Sequence, residues 1–370
     1  MQKAALITFL SLACLPLWAQ LNNQMFEDRL VVEEADSGKL FLGVNFLGFS
    51  KNNEYFDTII EGYTLLGYQF NPYVSYNISK SVRLDAGAFF HKDFGNNDFS
   101  TIAPTLTLKI TKGNMALLFG NLESSLNHRL IEPLYDFERV MNDRLETGVQ
   151  FQTIKDGLFF DLWLDWQNMI YNNDPEQERF VSGASLNKRV INGEVALHLI
   201  GQALVSHRGG QINLNSPPLE TVTNSAIGVE ARRETSGIVK AWTASGFYST
   251  YSNLSDGNER PYKDGSAIYF NVNASTKWGL DVMMNYWQGH EFISIQGSKV
   301  YPSVSEFNNT HQREDMKLIM WRALYHREIA EGLVLGLRFE PYYDLGFQSF
   351  QYAYGFYLQF NDRFYLTSRK

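Results

Sequence analysis

Few residues of this chain have the types and spacing that enzyme chemistry needs. His290 and Glu291 begin like a zinc-protease motif, but Ser294 stands where the second histidine ligand would be. Asp161 and Asp165 would lie about 13 Å apart in an extended strand, which is too far for a general acid/base pair. The sequence contains no Gly-x-Ser-x-Gly motif. It therefore predicts no catalytic residues, no metal site and no cofactor, and it places His290 in a loop.

The segment around the two aspartates indicates which elements position such side chains. In residues 158–169, the apolar Phe160 and Leu162 alternate with positions that include Asp161 and Asp165. A period of two residues is typical of a β-strand with one polar and one apolar face. The same pattern predicts strands at about 39–49, 63–79, 81–94, 100–112, 115–123, 145–154, 158–169, 178–191, 193–210, 220–234, 239–252, 266–278, 279–294, 314–329, 333–346 and 351–366.

The connections between these strands alternate between short and long. The short ones are rich in Gly, Asn, Ser and Lys, as tight hairpins require. They lie near 77–81, 111–114, 154–157, 190–193, 234–237, 276–279 and 330–332, and the long ones lie near 50–62, 95–99, 121–144, 170–177, 207–221, 253–265, 295–313 and 344–350. Outer-membrane barrels have short periplasmic turns and long external loops. The alternation therefore predicts that both termini lie on the periplasmic side.

The composition also favours a membrane barrel. Aromatic residues make up 15% of the chain, and hydrophobic residues make up 44%. An apolar outside wrapped around a polar inside produces this combination. Because every backbone N–H and C=O must be paired in hydrocarbon, a membrane sheet has to close on itself. The predicted fold is all-β: a transmembrane antiparallel up-and-down β-barrel of about 16 strands, with short periplasmic turns and long extracellular loops.

The N-terminus has the features of a secretory signal peptide. Lys3 precedes the apolar run Ala4–Leu15, and Ala19 offers a small residue before a cleavage site. The run is shorter than the roughly 20 apolar residues of a spanning helix. Cys14 is the only cysteine, and lipidation there remains a minor alternative. The predicted divisions are a signal peptide at 1–19, a periplasmic N-terminal segment at 20–38 and a barrel at 39–370, located in the cell outer membrane after secretion through the inner membrane.

The overall charge narrows the range of partners. The formal net charge is −8 at pH 7, which argues against nucleic acid as a partner. The predicted partner is outer-membrane lipid, and assembly into a homo-oligomer is left open.

The lumen of such a barrel is its predicted functional surface, because a barrel of this size encloses an aqueous space. The loop at 121–144 is unusually apolar for an exposed loop, and a long loop of this kind normally has a purpose. It either folds into the barrel and narrows it or packs over the outer rim. Folding inward would bring the loop acids toward lumen bases, namely Glu132, Asp136 and Glu138 toward Arg83, Lys109, Arg322 and Arg338. The predicted pore-lining and constriction residues are Arg83, Asp85, Lys109, Glu132, Asp136, Glu138, Asp161, Asp165, Arg322, Arg338 and Glu340.

The signal peptide, the alternating strands, the loop pattern and the aromatic C-terminal strand Tyr352–Phe360 together resemble the porin superfamily of Gram-negative outer membranes. The resemblance covers about residues 39–366. It implies a channel, and the C-terminal strand is similar to the signal that the barrel-insertion machinery recognises, which makes that machinery an expected partner. One departure is that the chain continues to Lys370 instead of ending on an aromatic residue.

Three functions follow as hypotheses. The first is a porin-like channel for diffusion of small hydrophilic solutes, with lumen charges setting selectivity and no enzymatic activity. The second is a barrel that exports or anchors a surface polysaccharide. The third, ranked lowest, is an outer-membrane hydrolase, since barrel lipases use pairs of serine and histidine on neighbouring strands.

Overall fold

The computed structural model describes residues 23–172, 174–210, 218–255 and 260–368, so the predicted signal peptide lies outside the described residues. Sixteen antiparallel strands form one closed barrel in sequence order, and the first strand pairs with the last. They are β1 (Lys39–Phe56), β2 (Glu61–Ser79), β3 (Val82–Asp93), β4 (Thr101–Lys112), β5 (Met115–Asn121), β6 (Thr147–Lys155), β7 (Leu158–Asn168), β8 (Arg179–Ile191), β9 (Ala196–Arg208), β10 (Glu220–Glu234), β11 (Val239–Asn253), β12 (Asp264–Thr276), β13 (Leu280–His290), β14 (Asp315–Ala330), β15 (Leu333–Asp344) and β16 (Ser349–Ser368).

Helical structure is limited to short pieces. The described residues contain 3-10 turns at Gln24–Phe26, Glu34–Asp36 and Ser125–His128, and one α-helix, α1 (Arg139–Asn142). No helix within the described ranges is long and apolar enough to cross a membrane.

Each strand has an outer face and an inner face, as the alternating sequence predicts. In β12, Phe270 and Val272 point outward with 51% and 54% of their surface exposed, whereas Asn271 and Asn273 are buried on the lumen side. Exposed apolar side chains on this scale would be unfavourable in water, and they match the lipid-facing band of a membrane barrel. The structure therefore confirms the predicted fold class and the count of 16 strands.

The short connections are tight hairpins that use glycine where the backbone requires it. Gly113, Gly157, Gly279 and Gly332 have φ between +60° and +78°, a region that glycine enters without the steric penalty of a Cβ. These turns fix the register of the strands on either side. The short-turn end and the long-loop end of the barrel are therefore distinct, and in outer-membrane barrels the long loops are external.

One predicted long connection was wrong. The sequence predicted a loop at 50–62, but β1 continues to Phe56 and β2 begins at Glu61. Lys51 and Asn53, which made this part look like a loop, point into the lumen and are buried there. Their polarity reflects a polar barrel interior.

The lumen is occupied by two segments that are not strands. The loop between β5 and β6, residues 122–146, packs Phe137 against Phe26 of the N-terminal segment and against Tyr357 of β16, at ring-centroid distances of 5.0 and 5.6 Å. A second apolar cluster holds Leu130 and Ile131. The loop thus folds inward, the first of the two placements that the sequence left open. The described part of the segment predicted as 20–38 also lies against lumen side chains.

Candidate functional site

Beyond Glu123, which pairs with Lys109 of β4, the inward loop meets basic side chains of the barrel wall at two neighbouring places. At the first, the Glu132 carboxylate lies 3.2 Å from Arg322 Nη2 and 4.0 Å from Arg338 Nη2. Both arginines also pair with Glu340 of β15: Arg322 Nε lies 3.2 Å and Arg338 Nη2 lies 2.6 Å from its Oε1. Two arginines and two carboxylates therefore tie the loop to β14 and β15, and Lys51 of β1 joins this cluster at 3.4 Å from Glu340.

At the second place, Glu138 accepts hydrogen bonds from Lys51 Nζ at 2.6 Å and from Asn53 Nδ2 at 2.8 Å, and it also accepts one from the Tyr63 hydroxyl. Burial alone would raise the pKa of Glu138, but the charge of Lys51 outweighs it and holds this pKa below its usual range. Glu138 is therefore an anion in the wall of the narrowed lumen.

Two of the expected contacts of this loop are wrong. Arg83 binds Asp85 at 2.8 Å and donates to the Val31 carbonyl, while Lys109 donates to the Leu30 carbonyl and to Glu123. The N-terminal segment and the start of the loop supply these partners, so the loop acids farther along do not reach them.

Asp136 lies beside Glu138, whose backbone N–H donates to its carboxylate at 3.1 Å, and the charges of Lys51 and Lys299 act on it less strongly than the Glu138 charge. Burial and the neighbouring Glu138 charge raise the pKa of Asp136 to about 7. Two other predicted residues are held by neighbouring strands. Asp161 accepts a hydrogen bond from Gln150 Nε2 at 3.0 Å, and Asp165 accepts one from the Thr147 backbone N–H at 2.8 Å.

A cluster that the sequence did not predict surrounds His128, in the inward loop. Its Nδ1 lies 2.8 Å from Asp161 of β7, and its Nε2 lies 2.8 Å from Glu146. Burial lowers the pKa of His128, but the charge of Glu146 and the bond to Asp161 outweigh it and raise this pKa to about 9. Both ring nitrogens are engaged, so this imidazolium holds the loop in place and has no free nitrogen to accept a proton.

A different arrangement lies on the outer face, at the long-loop end. Ser266 of β12 pairs directly with His290 of β13, and His290 pairs directly with Asp315 of β14. All three side chains occupy outward positions in their strands. His290 Nδ1 lies 3.0 Å from an Asp315 carboxylate oxygen. Directly opposed residues have Cβ atoms about 4.5–5.5 Å apart, so Ser266 and Asp315 lie next to His290 on its two sides.

This order of side chains has a chemical meaning. A serine activated by a histidine, which a carboxylate holds in one tautomer, is the machinery of acyl transfer. His290 and Asp315 keep 57% and 64% of their side-chain surface exposed, so a substrate can reach them. The prediction that His290 lies in a loop is wrong, because it ends β13.

The sequence held part of the signal for this site. A tight turn near 276–279 fixes the register of β12 and β13, and counting back from it places Ser266 opposite His290. The partner Asp315 follows a long connection, so the sequence does not determine the register between β13 and β14. Among the described residues, no group of three or more His, Cys, Asp or Glu side chains is arranged to hold a metal ion.

Comparison with known proteins gives one family. A family model described as lipid A 3′-O-deacylase-type matches residues 32–369. No curated protein matches the chain by sequence.

Solved structures share the fold at low identity. The chain is similar to the loop L8 deletion mutant of OmpT, an outer-membrane protein of Vibrio cholerae, with 14% identity and a TM-score of 0.53 over 88% of this chain and 100% of that one. It is also similar to OprD of Pseudomonas aeruginosa, with 11% identity and a TM-score of 0.51 over 91% and 99% of the two chains. At these identities the likeness shows the fold alone, which is that of an outer-membrane porin-like barrel.

Proposed function

Because the chain belongs to the lipid A 3′-O-deacylase-type family, we propose that it is an outer-membrane hydrolase that cleaves acyl esters of a membrane lipid on the outer face of the barrel. The observation that carries this proposal is the alignment of Ser266, His290 and Asp315 on three neighbouring strands. The hydrolase was the lowest-ranked of the sequence-based hypotheses. The family and this alignment now favour it over the channel.

The proposed reaction is a two-step acyl transfer. Ser266 Oγ attacks the ester carbonyl carbon while His290 Nε2 takes the hydroxyl proton, and Asp315 stabilises the resulting imidazolium. The tetrahedral intermediate then expels the alcohol of the lipid, which takes the proton from His290, and leaves the acyl group on Ser266. A water molecule, deprotonated by His290, hydrolyses this acyl-serine to a free fatty acid and restores the serine.

The surroundings of the three residues suit a lipid ester. Moving from the long-loop end toward the short turns, the next outward residues on the same strands are Ile268, Gln288 and Lys317. Phe270 and Ile319 follow and belong to the lipid-facing band. The site therefore lies where polar side chains meet the apolar belt, the level at which a lipid joins its head group to its acyl chains. Lys317 supplies a positive charge beside it for an anionic head group.

His290 suits the role of base better than His128. Its Nδ1 faces the Asp315 carboxylate and it pairs directly with Ser266 on the next strand, whereas both nitrogens of His128 are held by carboxylates. A general base needs one unprotonated nitrogen within reach of the nucleophile.

The experiment is release of fatty acid from lipid A by the folded barrel in proteoliposomes, followed by mass spectrometry. S266A and H290A should lose activity by on the order of 10³-fold or more, as removal of a triad member does. The matched control is S225A, since Ser225 is another outward hydroxyl near the same rim, bonded to Thr250 at 2.7 Å. Full activity of S266A would exclude this site.

The second candidate is the loop-narrowed channel for small hydrophilic solutes. The observation in its favour is the charged neck, where Glu132 and Glu138 of the inward loop pair with Arg322 and Lys51 of the wall. Lumen charges in a narrow, low-dielectric passage select ions by sign. Export of a polysaccharide, the signal peptide, contact with the barrel-insertion machinery and a homo-oligomer remain predictions.

A further inference from the structure

The barrel wall has a notch beside β4. On one side, β4 pairs with β3 along Thr101–Ile110. On the other side, β5 pairs only with Thr107–Lys112. The six residues 101–106, about 20 Å of strand, therefore have no β5 partner, because β5 ends at Asn121 and the chain turns into the lumen.

The sequence of this edge disfavours pairing with another strand. The Leu106 N–H donates to Asn121 Oδ1 at 2.8 Å, so N–H groups at even positions of β4 point toward the notch. Residue 104 is proline, which has no N–H to leave unsatisfied, and proline is a common device for blunting a free edge. Gly120 has φ +99° and a Cβ there would lie 2.1 Å from the Leu106 carbonyl oxygen, so only glycine permits this close approach at the turn inward.

A cavity of about 100 Å³ lies behind the notch. Its walls include lumen-facing Asn71 and Tyr73 of β2, and Ser125, Asn127 and Arg144 of the inward loop. Leu106 also lines it, although this side chain faces the lipid with half of its surface exposed. The cavity thus extends from the lumen side of the barrel to Leu106, the last residue of the unpaired edge.

Two residues that line this cavity carry oxygen atoms without partners. Ser125 Oγ and Asn127 Oδ1 are buried beneath its surface and have no hydrogen-bond partner among the described residues. Ser125 also has φ +61°, a strained conformation for a residue with a side chain. Buried polar groups are normally satisfied, so these two side chains could accept hydrogen bonds from a ligand in the cavity by turning toward it.

The charges of the cavity are already balanced. Arg144 pairs with Asp28, and Asp85 pairs with Arg83. The groups left to recognise a ligand are neutral: the amides of Asn45 and Asn71, the hydroxyl of Thr105 and the aromatic ring of Tyr73. These suit hydroxyl groups on a compact head, because hydroxyls donate to oxygen acceptors and the apolar face of a ring packs on an aromatic side chain.

We propose that the notch admits the neutral, hydroxylated head group of a membrane amphiphile into this cavity while its alkyl chain stays against Leu106 in the lipid. We assign the ligand to the membrane because the side chains of Ile102 and Leu106 beside the notch face hydrocarbon. The site lies at β4 and β5, whereas the proposed ester hydrolysis lies at β12–β14, so either proposal stands or fails without the other.

The test uses decyl β-D-glucoside with a photoreactive diazirine in its alkyl chain, added to the folded protein in phospholipid nanodiscs. Peptide mapping should place the crosslinks in 101–106 and 121–127 in preference to the rest of the lipid-facing belt. Unlabelled decyl glucoside should compete. Labelling spread evenly around the barrel would overturn the proposal.

Two further competitors test whether the ligand enters from water or from the membrane, and whether its head group is neutral or anionic. Competition by free glucose would mean that the cavity fills from water, and competition by decanoate would mean that it binds an anionic head; either result overturns the proposal as stated. S125A/N127L should lower crosslinking in the notch at least tenfold, and N273L, a change to a lumen amide on β12, should not. T105W places a bulky side chain in the cavity from β4 and should lower crosslinking by the same factor. This variant tests the proposal even if S125A/N127L does not fold.

Discussion

The imidazole of His128 lies flat against the indole of Trp163, with ring centroids 3.7 Å apart and an angle of 12° between the planes. The same imidazole bridges Asp161 of the wall and Glu146 at the end of the inward loop. One buried cation, stacked on an aromatic ring that favours cations, therefore fastens residues 122–146 to β7.

This contact predicts a loop whose attachment depends on pH. The pKa of His128 is raised from 6.5 to about 9, so its contribution is complete below pH 6.5 and is lost as the pH rises through about 9. The pKa of Glu146 is lowered, so its contribution is lost on the acid side, as the pH falls below 4.5. Hydrogen exchange of the loop amides, corrected for intrinsic rate, should therefore accelerate between pH 7 and 9.5.

The control for this experiment separates the loop from the barrel. H128Q should remove the alkaline acceleration, whereas H198Q should keep it, because His198 lies on β9 and bonds Asn187. An unchanged pH profile in H128Q would contradict the assignment.

The proposed hydrolysis predicts a specific defect for D315N. The amide would still fill the space beside His290 but would hold the wrong tautomer, and in Ser-His-Asp sites this substitution lowers kcat by on the order of 10⁴. Fatty-acid release measured at saturating lipid should show the loss in kcat with little change in KM. The control is D264N, since Asp264 is an outward carboxylate on β12 two residues from Ser266. Equal losses of kcat in both variants would mean that activity depends on the negative charge of the rim in general and not on Asp315.

The charged neck predicts a change in conductance when the loop is removed. Deleting residues 125–140 takes away Glu132 and Glu138 and leaves Arg322, Arg338 and Lys51 facing an open lumen. Single-channel conductance in planar bilayers should rise, and the reversal potential should shift toward anions. The shift should shrink at high salt because screening shortens the reach of each charge. Unchanged conductance would exclude a constricting role for the loop.

The Lys51 site predicts a large loss of stability for one substitution. K51M leaves Glu138 buried without its cation, and breaking a buried pair from one side costs about 3–5 kcal/mol. The measurement is urea unfolding of the barrel in liposomes. The comparison is R233M, which breaks the exposed pair with Glu194 and should cost no more than about 1 kcal/mol. Similar values for the two variants would mean that the lumen pair is well hydrated.

The orientation predicts which epitope tags are reachable on intact cells. A tag at Asn308, in the long connection before β14, should bind antibody, and tags at Asp156 or Asn192, in short turns, should not. Labelling of whole cells with the reverse pattern would contradict the assignment of the long loops to the outside.

Most of the fold was predictable because the alternation of polar and apolar residues shows directly which side chains face the lumen and which face the lipid. Strand β10 falls at the predicted residues 220–234. The failures occurred where the inner face is very polar: Lys51 and Asn53 made the end of β1 look like a loop, since nothing local in the sequence indicates that Glu138, far along the chain, lies against them.

The candidate sites were less predictable because they depend on register across long connections. The direct pairing of His290 with Asp315 spans 24 residues of connecting chain, and the length of a loop does not fix how two strands align. The two carboxylates around His128 come from β7 and from the end of the loop itself, so only the closed barrel brings them together.

The N-terminal segment has a consequence for how the barrel closes. Asn23 accepts from Arg338 of β15, Asp28 accepts from Asn361 of β16, and Arg83 of β3 donates to the Val31 carbonyl. The segment thus joins strands on both sides of the β1–β16 seam from within. Opening the seam therefore requires loss of these contacts as well as of the β1–β16 ladder, so the first part of the chain raises the barrier to release of the last strand.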